Sequence, residues 1–123
     1  MYRLPKLISL KDKLEQSGIK LILIQIHEAH TILWPTGMKD HPLPHSDLND
    51  RISRAKSLRD TKNIPFPIFV DNWTNDFDNL FRAWPDQYYF VDSDGKILAK
   101  SMYEYGKAYV LEDCYDLLLK YIR

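Results

Sequence analysis

The sequence has one cysteine among its 123 residues, which excludes an internal disulfide, a Cys-x-x-Cys redox pair and a cysteine-rich zinc site. Its apolar runs, such as residues 21–24, are far too short to cross a bilayer. Seventeen basic and seventeen acidic side chains leave no net charge, so the basic excess of many nucleic-acid-binding proteins is missing. We therefore expect neither a nucleic-acid partner nor a membrane span.

Large apolar side chains are plentiful, because 45% of the residues are hydrophobic and there are three Trp, eight Tyr and five Phe. They are enough for a core, and the length is typical of a single domain over residues 1–123. No apolar segment follows a basic amino terminus, so the sequence predicts no secretory signal. A cytoplasmic location is the expectation that follows.

Hydrophobic spacing predicts helices and strands in the order α-β-α-β-α-β-β-α. The helices are predicted over residues 5–17, 46–62, 74–82 and 108–122, and the strands over residues 20–27, 66–71, 87–92 and 96–101. Strand 20–27 is almost wholly apolar, as buried parallel strands are, and Asp94-Gly95 predicts a hairpin. The pattern predicts an α/β sandwich with a mixed sheet. It resembles a three-layer, thioredoxin-like fold whose first strand is missing.

Residues 24–30 read Ile-Gln-Ile-His-Glu-Ala-His, and Trp34 follows them. Residues 45–51 read His-Ser-Asp-Leu-Asn-Asp-Arg, and residues 66–72 and 84–92 are two further segments in register. Together they resemble the iodothyronine deiodinase family over nearly the whole chain. That resemblance implies a thioredoxin-like domain. Such domains remove iodine reductively from thyroid-hormone-type phenols, using selenocysteine or cysteine at a strand-to-helix turn.

The resemblance also implies roles for particular residues. Glu28 and His30 correspond to the family's proton-transfer pair, and His45 and Trp34 correspond to substrate-binding positions. The implied ligand is an aromatic or phenolic small molecule, with no cofactor and no metal. We expect Glu28, His30 and His45 to cluster at the carboxyl edge of the sheet, where ligand crevices form in open α/β sheets.

The catalytic chalcogen of that family is missing here. Its position falls at or beside Met1, and the family's substrate-recognising Gly-Gly-Arg is replaced by residues 100–102, Lys-Ser-Met. Cys114 falls on the apolar face of a predicted helix and is expected to be an inert core residue. These departures predict a non-catalytic subunit for binding or assembly. The alternative is a reductive dehalogenase of the deiodinase type whose nucleophile lies upstream of Met1.

The residues by themselves leave other interpretations open. One alternative is a structural role, in which Glu28 caps a loop and His30 forms a hydrogen bond with the backbone. The four histidines fall within nineteen residues, but Pro42 and Pro44 prevent a helical His-x3-His pair, which argues against zinc. The basic residues of the second helix are expected to form a solvated face: Arg51, Arg54, Lys56, Arg59 and Lys62.

A missing central strand leaves backbone groups that need partners, because unpaired buried N–H and C=O groups are costly. Two solutions are open. Strands 20–27 and 87–92 pair directly, or a second copy or another protein donates a strand that completes the sheet. We expect direct pairing, with a homodimer or a partner protein as the alternative.

Overall fold

The computed structural model of the chain describes residues 4–27, 43–83, 87–100 and 114–122. These residues form a mixed α/β structure in the predicted order of elements. The helices are α1 (Leu4–Ser9), α2 (Lys11–Gln16), α3 (Leu48–Lys62), α4 (Asp76–Phe81) and α5 (Cys114–Tyr121). The strands are β1 (Leu23–Gln25), β2 (Ile68–Val70), β3 (Tyr89–Val91) and β4 (Ile97–Lys100). None of the helices in these ranges is both long and apolar enough to span a membrane.

The described residues fall into two compact units. The hairpin unit comprises residues 4–21, 87–100 and 114–122, and so contains α1, α2, β3, β4 and α5. The parallel-strand unit comprises residues 22–27 and 43–83, and so contains β1, α3, β2 and α4. The single domain expected from the length stays a prediction.

The predicted first helix is interrupted at Leu10. The Ser9 hydroxyl donates to the Lys6 carbonyl at 2.6 Å, and the Leu10 N–H donates instead to the Leu7 carbonyl at 3.1 Å. Serine side chains compete in this way with the helical backbone ladder. The apolar face predicted for this segment is nevertheless present, because Leu10 and Leu14 are both buried.

The end of α2 is a Schellman motif at Gly18. Gly18 has a φ of +71°, and its N–H donates to the Glu15 carbonyl at 3.1 Å. The Ile19 N–H donates to the Leu14 carbonyl at 2.9 Å. Glycine adopts this left-handed conformation without the steric cost of a Cβ, so the helix ends where the predicted range 5–17 ends.

The hairpin unit contains the antiparallel pair β3–β4, as Asp94-Gly95 predicts. The Gly95 N–H donates to the Asp92 carbonyl, and the Asp92 N–H donates to the Lys96 carbonyl. The Phe90 ring lies 5.4 Å from the Tyr121 ring of α5, measured between centroids. The most buried apolar side chains of this unit come from its helices and from Leu10 between α1 and α2: Leu4, Leu10, Leu14, Leu117 and Leu118.

The parallel-strand unit is built on β1 and β2, which pair in parallel with Ile24 opposite Phe69. The parallel pairing predicted for strand 20–27 is therefore confirmed. Its predicted burial is only partial, since Ile24 is 37% and Phe69 58% exposed on the face that they share. Helix α3 connects the two strands in sequence, which makes the unit a βαβ arrangement.

Strands 20–27 and 87–92 belong to different units, so their direct pairing stays a prediction. Within the part of the chain that the structure describes, β1 pairs with β2 and β3 pairs with β4. Completion of the sheet by a second copy or by another protein stays a prediction.

Candidate functional site

The site is organised by the amino terminus of α3. Asp47 caps this helix, because its Oδ1 accepts a 2.7 Å hydrogen bond from the Asp50 N–H. The Asp50 carboxylate in turn accepts from the Ser46 N–H at 2.9 Å, and this bond holds the pKa of Asp50 below its usual range. The reciprocal bonds fix the entry to α3, and so place His45 and Arg51 within reach of each other.

Arg51 is the centre of a buried hydrogen-bond network. Its side chain is 1% exposed, and its Nη1 donates to the carbonyls of Asp71 at 3.2 Å and Asn72 at 2.8 Å. Its Nε donates to His45 Nδ1 at 3.2 Å. Because Arg has no acceptor, Nδ1 of His45 must accept, which places the proton of the neutral ring on Nε2. The network links the start of α3 to the residues that follow β2.

The charge of the buried Arg51 side chain is balanced by nearby carboxylates. Burial lowers the pKa of the guanidinium, and the nearby carboxylates of Asp71 and Asp78 oppose that shift. Arg side chains nevertheless keep their proton in proteins, so a cation lies inside this unit. The guanidinium carbon lies 5.0 Å from the centroid of the Trp73 ring, a cation–π contact. The Trp73 residue itself is 43% exposed, so part of it faces solvent.

Asp71 follows β2 directly, and its carboxylate caps the amino terminus of α4. Its Oδ1 accepts from the Phe77 N–H at 2.9 Å, and its Oδ2 accepts from the Asp78 N–H at 3.0 Å. Both N–H groups belong to the first turn of α4 and lack partners within that helix. The buried Asp71 carboxylate therefore determines where α4 begins and how Asp78 is placed.

Replacing Asp71 with asparagine should lower the free energy of unfolding by about 1–2 kcal/mol, since one amide oxygen is left to serve two N–H groups. Amide hydrogen exchange should accelerate at Phe77 and Asp78. The matched control is Asp60→Asn, an exposed carboxylate on α3, which should change stability by less than about 0.5 kcal/mol. Unchanged exchange at Phe77 and Asp78 would contradict the capping role.

His27 and Asp78 form a second polar pair. Nε2 of His27 lies 2.7 Å from Oδ2 of Asp78, although the two residues are 51 positions apart. The Asp78 side chain is largely buried, whereas the His27 side chain is 41% exposed. A carboxylate that fixes an accessible imidazole is an arrangement suited to exchanging a proton with a bound molecule.

These polar groups meet at one edge of the β1–β2 pair. His27 lies two residues beyond β1, and Asp71 follows β2, so both lie at the carboxyl ends of parallel strands. Arg51 and His45 reach the same edge through the Asp71 carbonyl. In the described ranges, all buried polar or charged residues belong to this unit: His45, Arg51, Asp71 and Asp78. The carboxyl edge of parallel strands is also where α/β proteins bind ligands.

The structure places His45 at the edge predicted for it, with its side chain buried against Arg51. Its role in substrate binding stays a prediction. Glu28, His30 and Trp34 lie outside the described residues, so their clustering with His45 also stays a prediction. No group of three or more His, Cys, Asp or Glu residues suited to a metal ion occurs in the described segments.

The predicted solvated face of α3 is wrong at Arg51, which is among the most buried side chains of the described residues. The prediction treated Arg51 as one of several surface cations. A signal was present, because Arg51 precedes the buried Ala55 by four residues and so lies on the same face of the helix. Asp71, Asp78 and the pairing of His27 were also missed. No short-range pattern joins a histidine after one strand to an aspartate in a later helix.

Comparison with known proteins gives no match: no protein-family model, no curated protein and no solved structure matches this chain. The functional argument therefore depends on the residues and on the geometry of the parallel-strand unit.

Proposed function

We propose that this chain is a deiodinase-like, thioredoxin-related domain that binds a small aromatic molecule and does not itself carry out thiol or selenol chemistry. The observation that carries this proposal is the convergence of His27, Asp78, Arg51 and Asp71 at the carboxyl edge of the β1–β2 pair. The three-layer sandwich with a mixed sheet is part of the same proposal. It is supported by the parallel βαβ unit and by the order of the remaining elements.

The energetic character of the edge supports a binding role. Buried polar and charged groups are costly unless each is paired, and apolar residues of similar size often give equal or greater stability. Burying a cation, a histidine and two aspartates in one small unit therefore costs stability that apolar residues would not cost. Polar groups held in fixed positions at a strand edge are useful for orienting a ligand.

Trp73 supports an aromatic ligand. The ring contacts the guanidinium of Arg51, and the residue remains 43% exposed. Flat aromatic surfaces stack on one another with centroids about 4.5–7 Å apart. A ligand ring can therefore stack on the exposed part of Trp73.

The absence of a suitable nucleophile in the sequence supports a non-catalytic role. The one cysteine of the chain, Cys114, lies in α5 of the hairpin unit and is half-buried. The proposed site belongs to the parallel-strand unit, and none of the described residues of that unit is a cysteine. Turnover of an iodothyronine with dithiothreitol that survives Cys114→Ser would contradict a purely binding role.

Binding is tested with 2,6-diiodophenol and the full chain. Titration should shift the Trp73 indole resonance and the backbone resonances of residues 71–78 in two-dimensional NMR spectra. Trp73→Ala should weaken binding about tenfold or more, because stacking on an aromatic ring is worth about 1 kcal/mol beyond the apolar contact area. The matched control is Leu80→Ala, an exposed residue of the same unit, which should bind as the wild type does. Shifts confined to other residues, or none, would contradict the proposal.

A further inference from the structure

We propose that the outer edge of β1 pairs with β1 of a second copy of this chain, so that two parallel-strand units share one four-stranded sheet. The two β1 strands run antiparallel and are related by a two-fold axis at Ile24. Such an assembly goes beyond the proposed ligand binding and does not depend on it.

The backbone of β1 is bonded to β2 along one edge. The Leu23 N–H donates to the Pro67 carbonyl at 2.9 Å. Backbone groups of successive strand residues point to opposite edges, so those of Ile22 and Ile24 point away from β2. Among the described residues of this unit, β2 is the one strand that pairs with β1, and the second edge is therefore open. Hydrogen-bonding groups along an open edge are a template for pairing with another strand.

The side chains along β1 leave this edge unprotected. Natural sheets block an open edge with charged residues or prolines. Residues 21–26 contain neither, whereas Pro67 stands directly before β2. Ile22 is 48% and Ile24 37% exposed. The composition and the exposure together indicate that the sheet continues past β1.

The charges on either side of the apolar stretch favour a second copy as the partner. In an antiparallel pair with its two-fold axis at Ile24, residues equally far before and after Ile24 lie opposite each other. Ile22 therefore lies opposite Ile26 of the other copy, and Lys20 lies opposite Glu28. Glu28 is outside the described residues, and its place in this register follows from the sequence. Opposite charges and β-branched residues directly across two strands stabilise their pairing.

The same charges disfavour a parallel arrangement of the two copies. Parallel pairing in register would place Lys20 beside Lys20 and Glu28 beside Glu28, and like charges directly opposite each other are destabilising. The chain as a whole carries no net charge, so two copies approach without overall repulsion.

Sedimentation velocity of the full chain over a dilution series should show monomer and dimer in equilibrium. Lys20→Glu should weaken the dimer about tenfold, because two like-charge pairs replace two pairs of opposite charge. Adding Glu28→Lys to that variant should restore the dimer. The matched control is Lys13→Glu, the same change of charge on an exposed lysine of α2, which should dimerise as the wild type does.

Amide hydrogen exchange locates the interface without a substitution. The Leu23 N–H should exchange slowly at every protein concentration, because its partner Pro67 lies in the same chain. The Ile24 N–H should exchange slowly only where the dimer is populated.

Three results would overturn the proposed dimer. They are a chain that stays monomeric at every concentration, a double variant that does not regain the dimer, and slow exchange at Ile24 that is independent of concentration. The last result would mean that a strand of the same chain occupies the edge. None of these results bears on the binding of 2,6-diiodophenol, which tests the proposed function separately.

Discussion

Replacing Arg51 with methionine is expected to lower the free energy of unfolding by about 3–5 kcal/mol, the usual loss when one member of a buried charged network is removed. Methionine fills much of the same space but leaves the carbonyls of Asp71 and Asn72, and Nδ1 of His45, without their donor. Urea denaturation followed by circular dichroism measures this loss. A domain of this size typically has about 5–15 kcal/mol of stability in total, so this loss would be a large fraction of it.

Two further variants show whether this loss of stability comes from the hydrogen-bond network or from the charge of Arg51. Arg51→Lys keeps the charge but lacks the planar fork, so it should lose about half as much stability. Arg59→Met removes an exposed guanidinium from the same helix, where it pairs with the neighbouring Asp60, and should cost less than about 0.5 kcal/mol. Equal losses in Arg51→Met and Arg59→Met would show that the buried network contributes nothing.

Replacing Leu14 with alanine is expected to cost about 3 kcal/mol. Leu14 is 1% exposed and is the apolar side chain with the least exposure among the described residues. Truncating a buried leucine removes apolar contact area and leaves a cavity, which together cost about 2–5 kcal/mol. The urea midpoint should fall while the slope stays the same, because the surface exposed on unfolding hardly changes.

The control for that prediction is Leu119→Ala in α5 of the same unit. Leu119 is exposed, and alanine is a good helix former, so the change should stay below about 1 kcal/mol. A loss at Leu119 as large as that at Leu14 would mean that burial does not distinguish the two positions. It would indicate that Leu119 is covered in solution by something other than the described residues.

Several features of the fold follow from local sequence alone. Ser17-Gly18 ends α2, Asp47 caps α3 and Asp94-Gly95 forms the hairpin turn, because each depends on hydrogen bonds between residues a few positions apart. The order of helices and strands follows from hydrophobic periodicity for the same reason. The prediction of one continuous helix over residues 5–17 was wrong, because it overlooked the Ser9 hydroxyl. That hydroxyl donates to the Lys6 carbonyl and so competes with the helical backbone.

The candidate site depends on the tertiary structure. The carboxyl edge of strand 20–27 could be predicted as a binding region, because parallel strands share that edge. The burial of Arg51 could not, since a cation enters an interior only when carbonyls from a distant segment are there to accept its hydrogen bonds.

His27 shows the same division between what local sequence determines and what tertiary structure decides. The sequence determined that a histidine follows an apolar strand. Only folding brings Asp78 to 2.7 Å from it, because β2 must first pair with β1 and Asp71 must fix the start of α4. Local patterns therefore determined the elements of this protein. Contacts between residues distant in sequence decided which polar side chains are buried and paired.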